Sequence, residues 1–319
     1  MVAIFGKPKT PVAFAHSVIG QSHIKSEKPC QDASLCVKDK KYTLVAVADG
    51  HGGDQYFRSD VGSGFAVQSV KECLTDPAVI NALTDTKREK DRERIIAQLK
   101  SSIIGRWNIF VADHADAHPF NEDEFEGIPD KYAERYRAGE HIESVYGSTL
   151  IAALLTDTFM LALQIGDGNC VVADKDGAFS MPVPADEKCF LNLTTSLCDE
   201  NAIDSLRHAY SDTIPAAVLI GSDGIDDCFA GEEKLYGFYR LILSSFKEKA
   251  EEAAKTELID YLPRLSEKGS GDDISIGMIV GKEALQNLNL EKPNQTNEGS
   301  DFDDTAEKDI DNQAGTTEG

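Results

Sequence analysis

Positive charge is what this chain lacks most. Lys and Arg number 32 against 55 Asp and Glu in 319 residues, leaving a net charge of −23. No lysine- or arginine-rich stripe with interleaved aromatics offsets it, so neither nucleic acid nor an anionic membrane surface is expected as a partner. Paired cysteines are missing too. The seven cysteines (Cys30, Cys36, Cys73, Cys170, Cys189, Cys198, Cys228) are odd in number and scattered, and no Cys-x-x-Cys occurs, which argues against a zinc ribbon and a disulfide framework. Reduced thiols of that kind belong to the cytoplasm. The start of the chain has no apolar segment of secretory length, because Lys7, Pro8 and Lys9 break a short apolar run. Asn192-Leu193-Thr194 is then a glycosylation sequon by letter only. The window from Ser148 to Ile165 approaches the apolarity of a membrane span, but Thr156-Asp157-Thr158 lies at its centre, and two strands joined by a turn fit better.

Apolar material is plentiful: 41% of the chain is hydrophobic and 27% charged, enough to bury a sizeable core. Short β-like runs cover Pro11 to Val18, Ala33 to Val37 and Tyr42 to Ala48. Helical spacing follows from about Gln55 to Leu74 and from Arg88 to Ala115, then an acidic, irregular stretch from Asp116 to Glu143. Thr149 to Leu155, Phe159 to Ile165 and Cys170 to Ala173 read as strands whose short turns force antiparallel pairing. A polar stretch, Pro182 to Thr213, precedes a buried strand from Pro215 to Gly221. Helices are expected over Glu232 to Lys249 and Glu251 to Lys268, and a last strand over Ile274 to Val280. Helices in sequential pairs around a meander are not the alternation of a doubly wound sheet, so the expected class is α+β, with two packed sheets and helices outside. From residue 282 to 319 the apolar content collapses and ten acidic residues face three lysines, the composition of a disordered acidic tail after a domain spanning 1–281.

Within this frame the run Val47-Ala48-Asp49-Gly50-His51-Gly52-Gly53 stands out. An apolar strand delivers a carboxylate to its end, and glycines let the backbone turn so that the Gly50 carbonyl and the Asp49 carboxylate offer two oxygens to one hard cation such as Mg²⁺ or Mn²⁺. Asp-Gly taken alone reads more simply as a hairpin turn. The strand-then-aspartate pattern recurs, however, at Ile165-Gly166-Asp167-Gly168, at Gly221-Ser222-Asp223-Gly224, and at Asp272-Asp273 ahead of the last strand.

This order of aspartates, with Gly147-Ser148-Thr149 opening the meander, resembles the metal-dependent type 2C protein phosphatases (the PPM family) over about residues 10–281. Cys30-Gln31-Asp32-Ala33 is similar to the compact bacterial branch. The resemblance implies a four-layer α-β-β-α sandwich of two mostly antiparallel sheets flanked by helix pairs. It implies hydrolysis of phosphoserine and phosphothreonine in proteins, opposing a Ser/Thr kinase, by a hydroxide that bridges two Mn²⁺ or Mg²⁺ ions. Asp49 matches the bridging carboxylate, the Gly50 carbonyl a ligand of the second metal, and Asp223 and Asp272 the remaining ligands of the first. Asp167 matches a ligand of a weak third ion shared with Asp223. His51 matches the general acid and Asp32 the group that orients metal-bound water. Such chemistry needs no phosphoenzyme, and no Cys-x5-Arg sequence offers the cysteine route.

Three positions depart from the family pattern. Gln31 stands where many members have a metal-facing glutamate, Asp273 where an asparagine follows the last ligand, and no arginine occupies the phosphate-binding place. Of His23, Lys25 and Lys28, Lys28 is the chosen phosphate contact. These departures leave a second reading: a catalytically weakened module that binds phosphoproteins as a regulator. A metal phosphodiesterase acting on nucleotides is disfavoured by the charge. His114, His118 and His141 flank the acidic segment in spacings that match no zinc pattern, and the segment 113–143 reads equally as a partner-recognition insertion or as a surface loop.

Overall fold

The computed structural model describes residues 11–189 and 193–290. Its strands are β1 (Val12–Val18), β2 (Ala33–Lys38), β3 (Tyr42–Ala48), β4 (Leu150–Thr156), β5 (Met160–Ile165), β6 (Asn169–Ala173), β7 (Phe179–Ser180), β8 (Arg207–Ser211), β9 (Ala217–Gly221) and β10 (Ile274–Val280). They form two five-stranded sheets, ordered β1-β10-β9-β6-β7 and β2-β3-β4-β5-β8, with every pair antiparallel. The helices are α1 (Gln21–Ser26), α2 (Ser59–Leu74), α3 (Pro77–Asp85), α4 (Glu89–Ala117), α5 (Asp130–Arg137), α6 (Ala202–Ser205), α7 (Asp223–Asp226), α8 (Glu232–Glu248), α9 (Glu251–Lys268) and α10 (Lys282–Asn287).

Side-chain alternation along the strands divides the core into three apolar layers. Val45 and Val47 of β3 point between the sheets to meet Ile151, Val218, Ile220 and Ile279, while Leu44, Ala46 and Ala48 point outward to α2 and α4. On the other side Leu219, Ile276 and Met278 face Tyr239, Ile242, Leu258 and Leu262 of α8 and α9. Central strands buried on both faces carry continuous apolar runs, which is why they stand out in the sequence. The arrangement is the expected α-β-β-α sandwich.

The differences lie where the sequence is polar. β8, inside the polar stretch, is an edge strand whose five residues are all half-buried. The stretch 116–143 is not irregular throughout: a capping box at Asn121 and Glu124 starts a 3₁₀ turn, α5 follows, and both dock. Phe57, Phe120, Phe125 and Tyr136 stack edge to face. Arg58 donates to both Glu124 carboxylate oxygens (2.8 and 3.0 Å), to Tyr146 Oη and to the His118 carbonyl, and lies over the Phe120 ring. The compact part also runs past residue 281. α10 buries Leu285, and Leu288 follows it into the core under α8, so residues 282–290 belong to the domain. The rest of the expected tail, 291–319, lies outside the described residues. Among the described residues no helix is long and apolar enough to cross a membrane.

Candidate active site

Antiparallel register brings five strand ends to one edge of the sandwich. Ala33 of β2 pairs with Ala48 of β3, which places Asp32 beside Asp49. Asn169 of β6 pairs with Gly221 of β9, and the Ser222 amide donates to the Ser275 carbonyl at the start of β10, so Asp167, Asp223 and Asp272 gather at the same edge. Thr149 anchors the Asp49 backbone from both sides: its hydroxyl accepts from the Asp49 amide (3.0 Å), and its amide donates to the Asp49 carbonyl (2.8 Å).

The electrostatics of this edge are those of carboxylates without a counter-charge. Burial, then the charges of Asp223, Asp32 and Asp272, push Asp49 well above the usual carboxylate range. Asp32 is pushed up to about 8, chiefly by burial, although the Ser222 hydroxyl donates to its Oδ2 (2.9 Å). Its Oδ1 is buried with no partner among the described residues. Asp223 rises to about 7 through burial and the charges of Asp167 and Asp272. No lysine or arginine pairs with these carboxylates among the described residues, and the one imidazole nearby, His23, lies within 4.8 Å of Asp272. Hard oxygen donors, mutually repelled and partly unsatisfied, suit a divalent cation such as Mg²⁺ or Mn²⁺, so the residues present fit the metals that the sequence implied.

The Gly50 turn is held by backbone contacts that leave no room for a side chain. Its amide donates to the Gln31 carbonyl (3.0 Å), and a Cβ there would lie 2.5 Å from the Ser59 carbonyl oxygen. His51 packs its ring edge-on to Tyr56 (4.8 Å between centroids) and against Gly147, where a Cβ would come within 2.6 Å of the imidazole. Burial lowers the imidazole below its usual range, with Asp199 and Asp167 pulling it back up.

A family profile described as Protein phosphatase 2C matches residues 19–263, more than three quarters of the chain. The chain belongs to the protein phosphatase 2C family. It is therefore a metal-dependent protein serine/threonine phosphatase. Solved structures with the same fold include three bacterial enzymes. The catalytic domain of the serine/threonine protein phosphatase PstP in complex with two manganese ions is 16% identical, with a TM-score of 0.54 over 85% of this chain and 98% of that one. PppA, a regulatory component of T6SS in Pseudomonas aeruginosa, is 18% identical (TM-score 0.54; 86% and 98% covered). The serine/threonine phosphatase Stp1 from Staphylococcus aureus is 14% identical (TM-score 0.52; 88% and 98% covered). No curated protein matched the chain in sequence.

The departures from the phosphatase pattern have structural reasons. Gln31 spends its amide nitrogen on the Ser59 hydroxyl (2.6 Å) and the His51 carbonyl (3.2 Å), which leaves Oε1 buried without a partner beside the Gly52 loop. Asp273 is a structural clamp. Its carboxylate accepts from the amides of Gly20 and Gln31, both at 2.6 Å, and from His23 Nδ1 at 3.0 Å. His23, considered for phosphate, is thereby occupied. Lys28 reaches the loop after His51: its Nζ donates to the Gly52 carbonyl (3.2 Å) and pairs with Asp54 (3.5 Å). Asp167 accepts from the Thr194 hydroxyl (2.8 Å). The three other histidines do not converge: His114 and His118 stack at 4.2 Å, His114 Nδ1 bonds Tyr146 Oη, and His141 faces Glu143. Among the described residues the one compact group of possible metal donors, His23 with Asp272 and Asp273, shares Asp272 with this edge.

Sequence reasoning missed the hydroxyls that donate to carboxylates (Thr194 to Asp167, Ser222 to Asp32), those that hold the neighbouring backbone and Gln31 (Ser59, Thr149), and the neighbours of His51 (Tyr56, Asp199). Thr149 and Ser222 carried a signal, as parts of Gly147-Ser148-Thr149 and Gly221-Ser222-Asp223-Gly224. Asp226 was also missed. It accepts from Asn169 Nδ2 (2.9 Å), whose Oδ1 accepts from Tyr239 Oη, and burial raises it to about 8.

Proposed function

We propose that this phosphatase hydrolyses phosphoserine and phosphothreonine in proteins with two Mn²⁺ or Mg²⁺ ions, Asp49 shared between them. The Gly50 carbonyl would serve one ion, Asp223 and Asp272 the other, and Asp167 with Asp223 a weak third. The observation that carries this reading is the convergence of Asp32, Asp49, Asp223 and Asp272 from separate strand ends with no lysine or arginine paired to them among the described residues. When bound, the cations supply an activated water and offset charge on the phosphoryl oxygens.

The chain's own groups do the rest. Asp32, its Oδ2 fixed by Ser222 and its Oδ1 buried without a partner among the described residues, would accept a hydrogen bond from the attacking water. His51 hands a proton to the departing serine or threonine oxygen, which is a poor leaving group without one. Lys28 guides the phosphate at the rim. The seven free cysteines support a reducing cytoplasm, where a Ser/Thr kinase would supply the substrate.

Hydrolysis of p-nitrophenyl phosphate and of a phosphothreonine peptide, with and without Mn²⁺, tests the proposal. His51→Ala should slow the peptide far more than the nitrophenyl ester, and the wild-type peptide rate should fall as pH rises past the lowered His51 pKa. Equal losses on both substrates would remove the proton-donor role. No hydrolysis of either ester would leave the weakened binding module.

A further inference from the structure

A groove of about 670 Å³ runs beside His51, between α4 and the segment that carries α6. Its floor is a face of α4 with small side chains, Gly105 and Ala112 among them, and Ile104 and Ile203 form apolar flanks. A Cβ at Gly105 would meet nothing within 4 Å. The protein's own packing therefore does not require this glycine, although it costs a helix about 1 kcal/mol relative to alanine.

Asp116, Glu143, Asp199 and Glu200 line the groove, and no lysine or arginine does. Glu143 pairs loosely with His141, and Asp199 accepts from the Ser196 amide, but no hydrogen bond or ion pair among the described residues engages Asp116 or Glu200. At the inner end Cys198 closes on the catalytic edge. A Cβ at Gly147 would lie 3.1 Å from Cys198 Sγ and 2.6 Å from the His51 ring, so sulfur and imidazole share one wall.

We propose that this groove receives the stretch of substrate protein flanking the phosphorylated residue and selects stretches with lysine or arginine there; the proposal rests on the phosphatase reading above. Charge complementarity decides the occupant. The acidic rim repels the chain's own 282–319 segment, which carries ten acids against three lysines, and attracts a basic stretch of a partner. The polar rim above an apolar floor suits the aliphatic stems of lysine and arginine under charged heads.

Two phosphothreonine peptides that differ only in lysine or glutamate flanks test it. The wild type should favour the basic peptide by about tenfold or more in kcat/KM, since exposed ion pairs contribute roughly two- to fivefold each, and salt should erode the preference. Asp116→Lys with Glu200→Lys should bring the ratio to one or below. Gly105→Phe should fill the floor and raise KM for the basic peptide. Fluorescence anisotropy of the same labelled peptides reads the groove independently of turnover. A wild-type ratio near one, or a ratio untouched by the double variant in a protein that melts normally, would overturn the groove. Failure to hydrolyse p-nitrophenyl phosphate in Mn²⁺, with basic-peptide binding intact, would instead overturn the phosphatase reading.

Discussion

Two niches at the same edge of the sandwich hold aspartates under opposite conditions. In one, Asp273 receives three donors from Gly20, Gln31 and His23 and ties α1 and β2 to β10. In the other, Asp32, Asp49 and Asp223 face one another, gain few donors, and are pushed toward protonation. The same side chain is structural where the backbone supplies hydrogen bonds and cation-seeking where it withholds them. The donor inventory tells the two apart.

The largest expected effect breaks the donor-poor niche. Asp49→Asn or Asp223→Asn should cut Mn²⁺-dependent turnover by at least about a hundredfold, while the melting temperature in EDTA holds or rises because a repelling charge is gone. Steady-state kinetics and thermal melts check both halves. In the donor-rich niche the sign reverses: Asp273→Ala leaves two amides and His23 without their acceptor and should destabilise the fold by about 3 kcal/mol in urea titration. Gln31→Glu sharpens the comparison, since it puts a carboxylate where Oε1 now lacks a partner. The Mn²⁺ concentration for half-maximal activity should fall by roughly tenfold, with turnover at saturation little changed. Isothermal titration with Mn²⁺ reads it directly.

A separate effect is in pH. Asp32 at about 8 and Asp223 at about 7 hold protons in the folded chain that the unfolded chain, near the ordinary 3.8, has released. Stability of the metal-free protein should therefore fall as pH rises from about 4 to 8, read as a falling melting temperature. Saturating Mn²⁺ should flatten most of that slope. Asp226, raised to about 8 by burial, should leave a remainder.

The central strands and α8 and α9 were legible because burial on one or both faces writes apolar periodicity into the chain. β8 was not, since an edge strand with Arg207 and His208 half-exposed looks like a loop. α3 carried an unused signal: Asp76 caps the helix by accepting from the Ala78 amide, and Pro77 opens it. The docked stretch 118–146 was illegible because its anchor, Arg58, lies far away in sequence. At the site, aspartates at strand ends were readable from turn chemistry, whereas the donors that separate Asp273 from Asp32 are backbone amides and small hydroxyls, which sequence does not rank.

The course of β10 has a practical consequence for handling the molecule. The strand begins beside Asp272 and ends at Val280, about 20 Å further along at 3.4 Å per residue, and α10 then carries the chain on to Leu290. Asn289 lies against Gly177 in the β6–β7 turn, at the pole opposite the carboxylates. A fluorophore or a surface tether attached at that pole reports on or immobilises the protein with its working face turned outward, free for large substrates to reach.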